Sequence, residues 1–356
     1  MDAVYFALGV LLLVLAFWDL FETIVVPRPT PGWFRISRYL VRGSWRGLRA
    51  IRDGKPGSSY DRVLGLFAPA MAVALLAAWI LSLIVGYGLI MYALRDELQP
   101  VPPDFGSALY FAATTVLTLG FGDVVAVGAP ARAIIITGAV TGLGAVALVV
   151  TFLFSLYGSY QRREILVVGL QAAAGAPPSA VALLETLAQL DLVGRLPDMF
   201  LDWERWAAEV LDSHVAYPLL GFFRSSHDNL SWISALGTVL DAASLVLTTI
   251  TGVPRGEAKL FKRVGAHMVE DISNLGFRLG EPTSLDRSAF DAACDRLEEA
   301  GYLLEPRALA WPAFEAARAT YATRLEGMAT YWATPASSWL GDPVALRSPL
   351  HPQDDP

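Results

Sequence analysis

The sequence is poor in cysteine, histidine and charged residues. It contains one cysteine, Cys294, and four histidines among 356 residues, and 17% of its residues are charged. A single cysteine excludes an intrachain disulfide framework, and no Cys/His spacing is typical of a zinc site. We find no Ser-His-Asp set and no phosphate-binding loop either. We therefore expect a protein that is not an enzyme and that holds no organic cofactor.

Apolar residues make up 54% of the chain, and the formal net charge is −7. This composition is too apolar for one soluble domain and is typical of a membrane part joined to a soluble part. The charge is unevenly distributed. Residues 27–62 hold eight arginines and one lysine against two aspartates, whereas residues 161–356 hold 25 acidic and 16 basic residues. The overall acidity argues against nucleic acid as a partner.

Three apolar runs, at 3–26, 67–94 and 131–157, are long enough to cross a bilayer as helices. The first run has no basic start and no small-residue cleavage site, which favours a retained helix over a signal peptide. Asp19 and Glu22 lie near its end. Acidic residues in a membrane can mark an ion pathway. We favour the alternative that they pair with arginines of the following linker.

Arginines recur at spacings of three and four in this linker. The stripe consists of Arg35, Arg38, Arg42, Arg46 and Arg49. It predicts an amphipathic helix at the membrane surface, with the arginines facing anionic lipid headgroups. A basic face that packs on the soluble domain is the alternative. The positive-inside rule places the linker in the cytoplasm, the N-terminus outside and the C-terminal half in the cytoplasm.

Between the second and third runs, residues 118–123 read Thr-Leu-Gly-Phe-Gly-Asp. Rings of backbone carbonyls can replace the hydration shell of a cation. Consecutive carbonyls can face one axis when the backbone is partly left-handed, a conformation that Gly120 and Gly122 allow. Leu119 and Phe121 would then point away from the axis, and Thr118 would add a hydroxyl ligand. A glycine-rich turn between two membrane helices is the alternative.

This segment resembles the selectivity filter of pore-loop potassium channels, whose usual form is Thr-Val-Gly-Tyr-Gly-Asp. The resemblance implies that K⁺ binds at the filter carbonyls and at the Thr118 hydroxyl. The implied carbonyl residues are Thr118, Leu119, Gly120, Phe121 and Gly122. One pore loop cannot enclose an ion, so the chain is expected to form a homotetramer.

The resemblance also assigns residues around the filter. A short helix from about Phe105 to Leu117, capped by Asp104, would precede the filter. The implied supporting residues are Tyr110 and Phe111, which brace the filter, Thr114, where some members place a buried acid, Asp123 at the outer mouth, and Gly142, a hinge in the inner helix.

The chain departs from the usual filter at Leu119 and Phe121. Phe121 lacks the hydroxyl that often tethers the filter to surrounding aromatic residues. Two alternatives therefore stay open beside a K⁺-selective channel. One is a weakly selective cation channel. The other is a membrane-anchored helical signalling protein with a non-conducting pore fold.

The C-terminal half has helical spacing over 179–192, 198–215, 229–250, 257–279, 284–301 and 312–333. This spacing predicts a compact all-α domain. The Gly-x-Gly-x-x-Gly motif of a Rossmann domain is missing. Residues 229–251 are apolar enough for a fourth span, but their serines and threonines favour a buried core helix. The single charge in that helix, Asp241, would need a partner, and Arg224, His214 and His227 are the candidates.

The sequence thus predicts an all-α membrane protein located in the cell membrane. The expected parts are an additional transmembrane helix (1–27), a basic amphipathic linker helix (28–62), a pore module (63–160), a helical cytoplasmic regulatory domain (161–333) and a disordered proline-rich tail (334–356). The pore module would comprise an outer helix, a re-entrant pore helix, the filter and an inner helix.

Overall fold

The computed structural model describes residues 1–26, 36–52, 58–225, 229–274, 285–334, 337–342 and 344. Most of the predicted tail, together with Arg35 and His227, lies outside the described residues. The chain forms two compact units. Unit 1 comprises Met1–Gly158 and Ala216–Phe223, and unit 2 comprises Ser159–Val215 and Arg224–Pro356. The fold is all-α, with two minimal strand pairs in the described part.

Unit 1 is built from long helices. They are α1 (Asp2–Ile24), α2 (Ile36–Arg52), α3 (Ser58–Ala93), α4 (Phe105–Val116) and α5 (Ala129–Ala174), of which the part after Gly158 belongs to unit 2. Three of them, α1, α3 from Arg62 and α5, are long and apolar enough to cross a membrane. They overlap the three predicted spans, although α5 continues to Ala174, past the predicted end at Tyr157.

Helix α1 packs antiparallel against α3. Asp2 forms an ion pair with Arg95, just after the end of α3, at 2.6 Å. In the middle of the helices, a Cβ on Gly9 would lie 2.6 Å from the carbonyl oxygen of Gly86. The absence of a side chain at Gly9 therefore allows the two backbones to touch. The sequence alone did not predict where the first helix packs.

Asp19, near the end of α1, binds neutral donors. Its carboxylate accepts hydrogen bonds from Trp79 Nε1 at 2.7 Å and from Ser37 Oγ at 2.8 Å. It also accepts from the backbone N–H of Ser37, in the first turn of α2, where N–H groups lack partners within the helix. Arg28 and Arg35 of the linker lie outside the described residues, so pairing of Asp19 with a linker arginine stays a prediction.

The loops on either side of the filter are fixed by short-range contacts. Asp104 caps α4 as predicted, accepting from the Ser107 N–H at 2.8 Å. Strand β1 (Leu98–Gln99) pairs antiparallel with β2 (Val125–Ala126). Glu97, in a 3₁₀ turn before β1, accepts from the N–H of Ala131 at 3.0 Å in the first turn of α5. These contacts fix the entry and exit of the segment between α4 and α5.

Unit 2 is a helical bundle with one small strand pair. Its helices are α6 (Ala180–Gln189), α7 (Leu196–Ala216, all but its last residue), α8 (Trp232–Thr248), α9 (Gly256–Ser273), α10 (Arg287–Glu299), α11 (Arg307–Ala319) and α12 (Ala322–Trp332), and β3 (Ile250–Thr251) pairs with β4 (Leu303–Leu304). Every residue of α8 from Trp232 to Val246 is buried. Helix α8 is therefore the predicted core helix, and it is shorter than a membrane span. The single helix expected over 312–333 is divided into α11 and α12.

Asp241 on α8 has partners that the sequence did not predict. It accepts hydrogen bonds from Tyr321 Oη at 2.6 Å and from Arg318 Nε at 3.1 Å. Burial raises the pKa of Asp241, and the charge of Arg318 counteracts this. Arg224 and His214 are therefore not the partners of Asp241. The observed partners lie about eighty residues later in the chain, where it packs back against α8.

Candidate functional site

The segment after α4 has the alternating backbone that a carbonyl-lined filter needs. Thr118, Gly120 and Gly122 have φ values of 56°, 58° and 80°. In the described residues, Leu119 and Phe121 between them do not share this left-handed conformation. Alternation of this kind turns successive carbonyl groups toward one side of the chain. The glycine conformations are as predicted. The sequence did not predict positive φ for Thr118, which is uncommon in a residue with a Cβ.

Thr114 holds the start of the filter through its backbone. Its carbonyl oxygen accepts from the N–H groups of Leu119 at 2.8 Å and Gly120 at 3.3 Å. Its hydroxyl donates to the carbonyl of Phe111 at 2.9 Å. The last turn of α4 is thus joined to the filter-like segment by main-chain hydrogen bonds.

Aromatic residues support the filter from two directions. The ring of Tyr110 stacks on that of Phe121, with centroids 6.5 Å apart and an interplanar angle of 7°. Asp123 lies at the outer end of the same segment. Phe111 is buried behind α4, in a cluster with Met91 and Leu98. Tyr110, which stacks on Phe121, thus carries a hydroxyl beside the ring that lacks one.

Gly142 lies where α5 crosses the end of α4. A Cβ at this position would lie 2.1 Å from the carbonyl oxygen of Val116, the last residue of α4. The neighbouring Thr141 bonds to the hydroxyl of Tyr87 on α3 at 2.7 Å. Helix α5 runs through Gly142 without a break. The glycine is thus needed for close packing of the pore helix on the inner helix, and its use as a hinge stays a prediction.

Comparison with known families gives one match. Residues 79–158 match a family model described as ion channel. This segment is therefore similar to an ion-channel domain, and we refer to it by that name. It includes the second half of α3, all of α4, the filter-like segment and α5 as far as unit 1 extends. Searches among curated proteins and among solved structures gave no match.

One face of the ion-channel domain is apolar and exposed in the single chain. In the filter, Leu119 and Phe121 are 56% and 67% exposed. On α5, exposed apolar residues recur at spacings of four, three, seven and four. They are Ile136, Val140, Leu143, Val150 and Phe154. An apolar stripe of this length is typical of a surface that lipid or another chain covers.

The predicted basic stripe lies on α2, next to the ion-channel domain in sequence. Arg38, Arg42, Arg46 and Arg49 belong to this helix, and Arg35 lies outside the described residues. Arg46 is exposed, whereas the other three are half-buried. Trp45 is buried at 2% exposure, so α2 is held to unit 1 by an apolar anchor on one side.

A short aromatic segment of the chain was missed by the sequence reasoning. Residues 216–223 pack in unit 1, although the residues before and after them belong to unit 2. Pro218 begins a 3₁₀ helix that ends at Phe222. The sequence contains a signal for this segment, because helical periodicity breaks at Pro218 and two adjacent phenylalanines, Phe222 and Phe223, follow.

Proposed function

We propose that the chain forms a homotetrameric, potassium-selective channel in the cell membrane. The observation that carries the proposal is the alternating left-handed backbone at Thr118, Gly120 and Gly122 inside an ion-channel domain. Four such segments around one axis supply rings of carbonyl oxygens that replace the water around K⁺. The Thr118 hydroxyl adds a ring at the inner end, and Asp123 lies at the outer mouth.

The uncovered apolar face of the ion-channel domain supports the tetramer. Leu119 and Phe121 need a covering that the single chain does not supply within its described residues. The open space between the filter and α5, about 450 Å³, is lined in part by Phe111, Gly122 and Ile136. Neighbouring subunits in a fourfold ring would cover these surfaces and close the filter around the ion.

We further propose that the arginines of α2 bind anionic lipid headgroups on the cytoplasmic side. Trp45 packs on Phe67 of α3, a candidate membrane span, and so holds α2 beside that span with Arg46 exposed. Exposed arginines next to a membrane span attract anionic headgroups. The N-terminus is then outside, and the helical C-terminal half, in the cytoplasm, regulates opening in response to a stimulus.

Reversal potentials test the proposal. The purified protein is reconstituted in planar bilayers of mixed neutral and anionic lipid, with K⁺ on one side and Na⁺ on the other. A K⁺-selective pore gives a reversal potential close to that of K⁺. A reversal potential near zero would identify the weakly selective channel, and the absence of current from verified tetramers would favour the signalling protein. Native mass measurement of the same sample checks the number of subunits.

A further inference from the structure

Tyr217, Phe222 and Phe223 form an aromatic group that we call the aromatic clamp. They lie in the segment that packs in unit 1, although α7 before it and the chain after it belong to unit 2. Leu219 and Leu220 in the same segment are buried. A solvent-exposed loop would not bury this much apolar surface, so the segment is an integral part of unit 1.

Two rings of the clamp contact the inner helix α5. The Tyr217 ring lies edge-to-face against Phe152, with centroids 5.7 Å apart. The Phe223 ring lies in the same way against Tyr157, with centroids 5.6 Å apart. Both partners are on the part of α5 that belongs to the ion-channel domain. The clamp thus contacts α5 at two points within about one and a half helical turns.

The third ring contacts the two helices on the other side of the clamp. Phe222 packs against Trp45 of α2 at 5.1 Å and against Phe67 of α3 at 5.4 Å between ring centroids. Trp45 and Phe67 also touch each other at 4.9 Å. The clamp therefore links the inner helix to α2, the arginine-bearing helix, and to the outer helix α3. Edge-to-face aromatic contacts are geometrically specific, so they distinguish one helix arrangement from another.

Both ends of the clamp continue into residues that are held firmly within unit 2. Directly after Phe223, the carbonyl of Arg224 accepts a hydrogen bond from the Tyr160 hydroxyl at 3.1 Å, and its guanidinium bonds to the carbonyl of Ala333. Before the clamp, α7 carries His214, whose Nε2 lies 3.2 Å from the guanidinium of the buried Arg163. A rearrangement of unit 2 that moves either anchor also moves the clamp.

We propose that the aromatic clamp is the element through which the C-terminal half controls opening of the ion-channel domain. In one state, the clamp holds α5 at a fixed distance from α2 and α3. In the other, displacement of its anchors breaks the ring contacts and releases the cytoplasmic side of α5. The filter itself is untouched, so selectivity is the same in both states. This inference rests on the proposed channel function.

A double-mutant cycle across the clamp tests the proposal. Phe222→Ala, Trp45→Ala and the double variant are made in the full chain, and single channels are recorded in bilayers. We expect each variant to change open probability by about fivefold or more, the lower end of typical coupling between sites. The two effects should combine non-additively, because the two rings touch. The K⁺/Na⁺ reversal potential should stay that of the wild type.

The matched control is the Tyr5–Tyr92 pair, which joins α1 and α3 with ring centroids 5.2 Å apart. Tyr5→Ala and Tyr92→Ala remove a similar edge-to-face contact far from the clamp, and we expect them to leave open probability within about twofold of wild type. If clamp and control variants change open probability equally, or neither changes it, the clamp is ordinary packing and the proposal is wrong. If Phe222→Ala tetramers do not assemble, the Phe222→Leu variant is recorded in their place, because it keeps most of the apolar volume.

Amide hydrogen exchange of the same proteins in nanodiscs gives a readout that needs no current. Phe222→Ala should accelerate exchange around Trp45 on α2 and Phe152 on α5, and Tyr5→Ala should not. Unchanged exchange at both places would overturn the contacts on which the clamp depends. Wild-type tetramers without current would refute the channel function. If the wild type conducts and the clamp variants keep its open probability, the coupling is refuted and the channel function is not.

Discussion

At Gly120 the backbone, rather than the surrounding space, restricts which residue fits. Its φ is 58°, and a Cβ built there meets no described atom within 4 Å of the same chain. Gly120→Ala should therefore act by straining the left-handed conformation, at about 1–2 kcal/mol in each of four subunits. We expect K⁺ currents to be abolished or to lose selectivity, measured as unitary conductance and reversal potential. Unchanged selective K⁺ conduction in this variant would show that the filter lies elsewhere.

At Gly142, in contrast, the neighbouring atoms rather than the backbone conformation restrict which residue fits. Gly142→Ala places a methyl group against the Val116 carbonyl, so α4 and α5 must separate. We expect a loss of about 1–3 kcal/mol per subunit, as for other overpacked interiors, seen as a lower melting temperature of the purified tetramer. Gly144→Ala is the control, since a Cβ at that position meets no described neighbour. If Gly142 served purely as a hinge, its alanine variant would alter gating and leave the melting temperature unchanged.

His214 makes the stability of unit 2 depend on pH. Burial, with the charge of Arg163 beside it, holds the pKa of His214 well below 6.5. The unfolded chain therefore binds a proton below pH 6.5 that the folded state does not bind, so the stability supplied by the neutral imidazole is lost as pH falls below that value. The loss is at most about 1.4 kcal/mol per pH unit. Melting curves from pH 7.5 to 5 should show this slope, and His214→Gln should reduce it. An equal slope in both proteins would assign it to other groups.

The sequence predicted the left-handed backbone at Gly120 and Gly122, and it did so for a physical reason. Left-handed backbone requires glycine at Gly120 and Gly122, so the conformation is visible in the residue types. Thr118 adopts the same region without any such signal, because its conformation follows from hydrogen bonds made by the end of α4. Contacts between residues distant in the chain, such as that between Asp241 and Arg318, also leave no pattern in the local sequence.

At the scale of elements, helix α2 offers a direct test of topology. Arg46 is exposed on this helix, and Arg46→Cys should be protected from a membrane-impermeant maleimide in intact cells and labelled after permeabilisation. Val101→Cys, in the loop before α4 where Val101 is exposed, is the control that should be labelled from outside. The native Cys294 gives little background, because burial raises its thiol pKa to about 11. Labelling of Arg46→Cys in intact cells would reverse the proposed orientation.

The elements themselves followed apolar periodicity closely where helices are regular. The first span, the pore helix and most helices of unit 2 begin and end near their predicted positions, whereas α3 begins at Ser58 rather than at 67 and α5 ends at Ala174 rather than at 157. Periodicity failed at Tyr321, between α11 and α12, since both helices share one apolar spacing. It also failed at residues 217–223, because a short 3₁₀ helix has too few residues to show a period. The conformation of such segments depends on tertiary packing, which the local sequence does not encode.

For the whole molecule, we expect ion selection and opening to be separable. A chain truncated after Arg163 should keep the K⁺ reversal potential, because every filter contact described above lies before that residue. Its open probability should change, since the aromatic clamp is removed with unit 2. Comparison with full-length Phe222→Ala separates loss of the clamp from loss of the domain. Altered selectivity in the truncated channel would mean that the ion pathway includes residues after Arg163.

The uninterrupted length of α5 within unit 1 has a mechanical consequence. Its residues 129–158 form a helix about 45 Å long at a rise of 1.5 Å per residue. The hydrocarbon core of a bilayer is about 30 Å thick, so a helix of this length exceeds it by about 15 Å. A tilt of about 5° at one end displaces the other end by about 4 Å, most of one turn of a helix. Such a lever converts a small change of angle at one end of the helix into a larger displacement at the other, and it reduces force by the same ratio.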